Sequence, residues 1–97
     1  MFNKLKQFKD LKKQASNLKN SMSQETVSGE ALGGDIKITM DGNQEIQNVE
    51  INESLLSLEN KEDIEKGIKD AFSKANKELQ SLMMRKMQSG EIQMPNM

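Results

Sequence analysis

The chain has 97 residues, of which 34% are hydrophobic and 3% aromatic, and its formal net charge is −1. The absence of Cys and His excludes disulfides, thiolate catalysis, and both the commonest metal ligand and the commonest general base. A chain of this length is predicted to form one domain over residues 1–97, and its small apolar content predicts that a partner subunit completes the core.

The first segment, residues 1–23, is predicted to be an amphipathic helix. Its apolar residues recur every three or four positions and form one stripe: Phe8, Leu11, Ala15, Leu18 and Met22. Six lysines against Asp10 give the segment a charge of +5. Five of them lie opposite or beside the apolar stripe: Lys6, Lys9, Lys12, Lys13 and Lys19. The segment lacks the apolar core of a secretory signal, so we expect a complete, cytoplasmic chain.

Residues 24–52 are predicted to form a three-stranded antiparallel meander. The three strands are indicated by β-branched or alternating residues at 26–28, 36–40 and 46–51. Ten acids against Lys37 and Lys61 give residues 24–63 a charge of −8. The sheet region is therefore expected to be an acidic body.

The turns of this meander are marked by small residues. Asp41-Gly42 is a strong hairpin signal, and Gly29, Gly33 and Gly34 are also interpreted as hairpin glycines. The spacing between Ile46 and Val49 breaks strict alternation, which predicts a β-bulge near Gln47-Asn48.

A second, longer helix is predicted over residues 60–88, with a short tail at 89–97. Asn60 is the expected N-cap. The expected buried stripe follows helical spacing: Ile64, Ile68, Phe72, Ala75, Leu79 and Leu82. Pairs at four-residue spacing, Glu65 with Lys69 and Asp70 with Lys74, are expected to support the helix.

Signals for catalysis and metal binding are weak. Asp41, Asn43 and Glu45 have the first spacings of a calcium loop, but the sixth position is Ile46 and the twelfth is Asn52, so no metal site is predicted. Glu50 and Glu53 are the remaining pair of carboxylates, and nothing in the composition suggests the cleft that acid–base chemistry needs. We predict no catalytic residue, no cofactor and no small-molecule substrate.

An ordered set of short segments carries a resemblance to a known family. The segments are residues 27–30 (Val-Ser-Gly-Glu), 33–42 (Gly-Gly-Asp-Ile-Lys-Ile-Thr-Met-Asp-Gly) and 49–56 (Val-Glu-Ile-Asn-Glu-Ser-Leu-Leu). Lys13-Gln14-Ala15 precedes them, and Ala71-Phe72, Ala75 and a Gly-x-x-x-Met-Pro tail follow. Over nearly all of its residues the chain resembles the YbaB/EbfC family of bacterial nucleoid-associated proteins. The resemblance implies a homodimer joined through its sheets, with helices projecting like tweezers, which binds duplex DNA in the nucleoid.

We therefore predict a non-enzymatic nucleoid-associated protein with a role in nucleoid organisation and gene regulation. Nine lysines are expected to contact DNA phosphates: Lys6, Lys9, Lys12, Lys13, Lys19, Lys66, Lys69, Lys74 and Lys77. Lysine serves phosphates as a point charge, whereas Arg85 is the only arginine available for bidentate contacts to guanine. Affinity is thus expected to be largely electrostatic.

Two alternatives stay open at this point, both less favoured than DNA. The apolar residues Phe2, Leu5, Phe8 and Leu11, interleaved with lysine, would suit a helix lying on an anionic membrane. The acidic sheet, with Glu30, Glu45 and Glu50, would suit an accessory module that binds another protein.

Overall fold

The computed structural model describes the backbone of residues 2–90 and the side chains of residues 5–90. The elements follow one another as α1 (Phe2–Ser23), β1 (Thr26–Ala31), β2 (Ile36–Asp41), β3 (Ile46–Ile51) and α2 (Lys61–Ser89), with three short 3-10 turns between them. The predicted α+β fold of helix, three-stranded meander and long helix is confirmed. Residues 91–97 of the predicted tail lie outside the described residues.

The three strands form one antiparallel sheet in the order β1-β2-β3. β2 is central, and its Ile38 pairs with Gly29 on one side and Val49 on the other. Opposite β3, Thr39 pairs with Asn48 and Met40 with Ile46, so Gln47 is the extra residue of a bulge. The predicted bulge is confirmed.

The core lies between the sheet and α2, which packs across β1 and β2. The most deeply buried positions of α2 follow one another every four residues: Gly67, Ala71, Ala75 and Leu79. Three of these four are small, which lets the helix backbone approach the sheet closely. The expected stripe is correct for Ala75 and Leu79, whereas its larger members flank the contact and are only half-buried.

Gly29 contributes to the same close approach, and its interpretation as a hairpin glycine was wrong. It lies within β1, and a Cβ atom added there would be 2.1 Å from the Ala71 carbonyl oxygen. Gly33 and Gly34 do occupy the turn after β1, with positive φ angles of 67° and 95°. Glycine adopts that conformation without steric cost.

The ends and surface of α2 also differ from two expectations. Asn60 precedes the helix, but its side chain makes no cap hydrogen bond, because its backbone (φ −94°, ψ 4°) is not extended as an N-cap requires. Its amide donates instead to the Leu55 carbonyl at 3.0 Å. Glu65 lies 3.9 Å from Lys61 instead of pairing with Lys69. The pair of Asp70 and Lys74 forms as expected, at 3.2 Å.

Two large apolar surfaces remain uncovered in the single chain. Among the α1 side chains that the structure describes, from Leu5 onward, only Leu18 and Met22 pack against the core, while Leu5 and Phe8 are 67% and 66% exposed. The second surface is β3 and the turn after it, where every β3 residue except Ile51 is exposed. Within residues 2–90, neither helix has an apolar stretch that could cross a membrane.

Candidate nucleic-acid interface

Helix α1 presents an open cationic surface. Every residue from Leu5 to Asn17 is exposed, so the helix projects away from the sheet. Successive residues turn by about 100°, which brings Lys6, Lys9 and Lys13 within an arc of about 60° opposite Leu11 and Ala15. No acid other than Asp10 interrupts this helix.

The side chains of the predicted α1 contact residues are available to a ligand. Lys6, Lys9, Lys12, Lys13 and Lys19 are all exposed. None of them forms an ion pair within the part of the chain that the structure describes. An unpaired surface ammonium can replace the cations condensed on DNA at a phosphate, and the release of those cations favours binding. The α1 lysines are therefore brought together in a form suited to a polyanion.

The four predicted lysines of α2 are less well grouped. Lys66, Lys69, Lys74 and Lys77 are all exposed, but helical geometry spreads them over about 140° of the solvent side. Asp70 already holds Lys74. α2 thus offers a mixed-charge surface instead of a continuous cationic face.

Part of that surface forms a groove with the free edge of β1. It is lined by residues 26–30 and by the α2 residues Lys74, Lys77, Glu78, Leu82 and Arg85, and its volume is about 710 Å³. Arg85 was not among the expected contact residues. Lys74 and Arg85 are eleven residues apart, which corresponds to three helical turns. This spacing is the sequence signal that would have placed both residues on the same side of α2.

The surface formed by residues 42–60 is acidic. Residues 42–60 contain four acids and no base. The two carboxylates considered for catalysis, Glu50 and Glu53, are exposed. Across the described residues, no cluster of three acidic side chains could hold a metal ion.

The fold and the surface together define a small α+β protein that presents a cationic helix, an arrangement typical of proteins that contact nucleic acid backbones. The sequence profile of the YbaB/EbfC DNA-binding family matches residues 1–93, and the chain belongs to that family. The resemblance inferred from the sequence is thereby confirmed.

Curated relatives carry a consistent description. A nucleoid-associated protein of Beijerinckia indica is 33% identical over 97 residues, which cover 98% of this chain and 96% of the relative. A nucleoid-associated protein of Rickettsia canadensis is 38% identical over 71 residues, which cover 73% of this chain and 66% of the relative.

A crystal structure supports the fold independently. An uncharacterized protein of Helicobacter pylori superposes with a TM-score of 0.63 at 22% identity, over 80% of this chain and 90% of that chain. At this identity the similarity concerns the fold alone.

Proposed function

We propose that the chain binds duplex DNA as a homodimer, mainly through contacts of the α1 lysines with phosphates. One observation carries the proposal: α1 residues 5–17 are exposed, and their lysines form no ion pair among the described residues. The chain that presents this helix belongs to a DNA-binding family. Phosphate contacts supply most of the affinity of proteins that bind DNA with little sequence preference. Such a protein would act in the bacterial nucleoid, in its organisation and in gene regulation.

The uncovered apolar surface around β3 supports the dimer. Ile46, Val49 and Ile51 pair with buried β2 residues and so lie on the core side of the sheet, yet Ile46 and Val49 remain 49% and 45% exposed. α2 does not reach them because it lies over β1 and β2.

The same surface continues beyond the sheet. Leu56 and Leu58 are 65% and 95% exposed and form a shallow groove with Ile64. Exposed apolar patches of this extent are typical of protein interfaces. A second copy would bury the patch and would bring two α1 helices to one DNA duplex, which doubles the number of phosphate contacts.

On α2, the predicted contacts of Lys66, Lys69, Lys74 and Lys77 are proposed as secondary. Their neighbours include Glu62, Asp70 and Glu78, which lower the local positive potential. Lys77 is the best placed of them: it lines the groove beside β1 with Arg85 and Lys74, and Lys74 is paired with Asp70.

Two measurements on the unaltered protein test the proposal. Light scattering after size exclusion should give a mass twice the 11.0 kDa of the chain. Fluorescence anisotropy with a labelled random-sequence duplex should show binding at about 50 mM salt that weakens by orders of magnitude at about 200 mM. A monomer would contradict the dimer, and an absence of binding at the lower salt would contradict DNA as the ligand.

A further inference from the structure

The C-terminal end of α1 is held by the β2–β3 turn, residues 42–44. The last carbonyl groups of a helix lack partners within the helix, and α1 has no basic residue in its last turn. The turn supplies donors instead: the Gly42 N–H donates to the Met22 carbonyl and the Asn43 amide to the Lys19 carbonyl, each at 2.9 Å.

The same turn is attached to α2 on its other side. The Gln44 side-chain amide donates to the Asn76 side-chain oxygen at 2.6 Å. Three consecutive residues therefore connect two helices that contribute lysines to the proposed DNA surface.

The β2–β3 turn is held in one conformation by its own hydrogen bonds. The buried Asp41 carboxylate accepts the backbone N–H groups of Asn43 and Glu45, at 2.8 and 3.1 Å. Gln44 has a φ of 68°, a left-handed conformation that fixes the course of the chain.

The contact between the turn and α1 is also tight. A Cβ atom at Gly42 would lie 2.5 Å from the Met22 carbonyl oxygen and 2.6 Å from the Met22 methyl carbon. No larger residue fits there unless α1 moves away.

A small rotation of α1 at its contact with the turn produces a large displacement at the far end of α1. Lys6 lies sixteen residues before Met22, a distance of about 24 Å along a helix. A rotation of about 10° at Met22 would therefore displace Lys6 by about 4 Å, which exceeds the spacing of about 3.4 Å between successive phosphates along the helix axis of one DNA strand. No other packed contact fixes residues 5–17, since all of them are exposed.

We propose that the β2–β3 turn is a clamp that sets the direction of α1 relative to α2 and thereby aligns the α1 lysines with DNA. This inference rests on the proposed function for its DNA part. Asn43 and Gln44 are then positioning residues, which act on the ligand through α1 without touching it.

The clamp is tested first without DNA. The chain has no Cys, so spin labels can be attached at Gln7→Cys on α1 and Ser73→Cys on α2, both exposed positions. Labelled protein is diluted into excess unlabelled protein, so that a dimer that carries label contains only one labelled subunit. Pulsed electron resonance should then give a narrow distance distribution for the parent.

Two variants open the clamp. Asn43→Ala removes the bond to Lys19, and Gln44→Gly removes the bond to Asn76 while tolerating the positive φ. Each should broaden the label distances by several ångströms, on the order of the 4 Å lever estimate above. The control is Asn48→Ala, an exposed β3 residue whose amide donates to Glu50 within the strand. An unchanged distribution in both clamp variants would overturn the inference.

DNA binding is measured on the same proteins. The clamp variants should bind the duplex more weakly by up to about fivefold to tenfold, because loss of the hydrogen bond lowers the population of subunits whose α1 is aligned for binding. Their thermal midpoint should stay close to that of the Asn48→Ala control. Broadened distances with unchanged affinity would overturn the positioning role. If the parent does not bind DNA, the proposed function and the DNA part of the clamp both fail, and the distances still decide whether the turn holds α1.

Discussion

Neutralising two lysines on α1 tests the proposed DNA contacts most directly. Lys9 and Lys13 lie one helical turn apart on the cationic side, and both are exposed. The variant Lys9→Gln with Lys13→Gln removes two charges from each subunit and four from the proposed dimer. Affinity falls with salt, and each lost phosphate contact makes the slope of log affinity against log salt shallower by about 0.9. The four lost charges should therefore make the slope shallower by up to about 3.6. Between about 50 and about 200 mM salt, the parent should lose about a hundredfold more affinity than the variant.

The matched control removes the same charge from the acidic body. Lys37 faces Glu30 and Glu50 across the strands, and Lys61 lies 3.9 Å from Glu65. The variant Lys37→Gln with Lys61→Gln should keep the salt slope of the parent when binding is followed by fluorescence anisotropy. An equal fall in slope for both variants would mean that total charge, and not the position of the α1 lysines, determines binding. An unchanged slope in the α1 variant would refute the proposed contacts.

Three further predictions concern the fold and the dimer. Gly29→Ala places a Cβ against the Ala71 carbonyl oxygen and should lower the free energy of unfolding by about 3 kcal/mol, as measured by thermal melting. Asp41→Asn turns an amide donor toward the Gln47 amide, which donates to the Asp41 carboxylate at 3.2 Å, and should lower that free energy by about 1–2 kcal/mol in urea titration. Leu58→Lys introduces a charge at a residue that is 95% exposed in the single chain, and light scattering should detect the 11.0 kDa monomer.

Two of these changes, Gly29→Ala and Leu58→Lys, have controls that separate their cause from a general effect. Gly33→Ala meets no atom within 4 Å, and should cost only about 1–2 kcal/mol for its left-handed backbone. Gln88→Lys adds the same charge as Leu58→Lys at an exposed position of α2 and should leave the mass unchanged. If Gly29→Ala melts at the same temperature as the parent, the described packing of α2 on β1 is wrong. If Leu58→Lys remains a dimer, the proposed interface is wrong.

The sequence predicts the elements well because their signals are local. The three-four spacing of Leu11, Ala15 and Leu18, and the alternation of residues 36–40, are each complete within a few turns or residues. The bulge is also predicted correctly, because it is visible as a break in alternation within β3. These features need no knowledge of what the elements pack against.

The errors arise where a residue's role depends on a distant partner. Gly29 allows α2 to pack close to β1, and the α2 residues that contact it lie more than forty positions later in the sequence. Without that contact in view, the glycine is easily taken for a turn residue. Asn60 has the right identity for a cap, but it ends a 3-10 turn, and its backbone is not in the extended conformation of an N-cap. Likewise, periodicity places Phe8 and Leu11 on an apolar stripe without showing that nothing in the same chain covers them.

The candidate surface could be predicted only in part, because some of its features are local in the sequence and others depend on distant residues. The α1 lysines were identified from helical spacing alone, and the structure leaves them exposed and without ion pairs among the described residues. The α2 lysines were grouped by identity, although Asp70 and Glu78 lie among them. Helical spacing could have placed Arg85 in one row with Lys74, but only the structure shows that this row and Lys77 line a groove beside β1, because β1 is far away in sequence.

The separation of charge explains how a chain with a calculated pI of about 5.5 could bind DNA. Screening at physiological salt has a length of about 8 Å, whereas Lys6 projects about 24 Å along α1 from Met22. The acids that follow β2, such as Glu45 and Glu50, therefore contribute little to the potential at the far end of α1. They do repel a duplex that approaches the sheet, so the protein would meet DNA with α1 first. Replacing both acids with Gln should change the affinity much less than replacing Lys9 and Lys13, because the proposed contacts lie on α1 and not on the sheet.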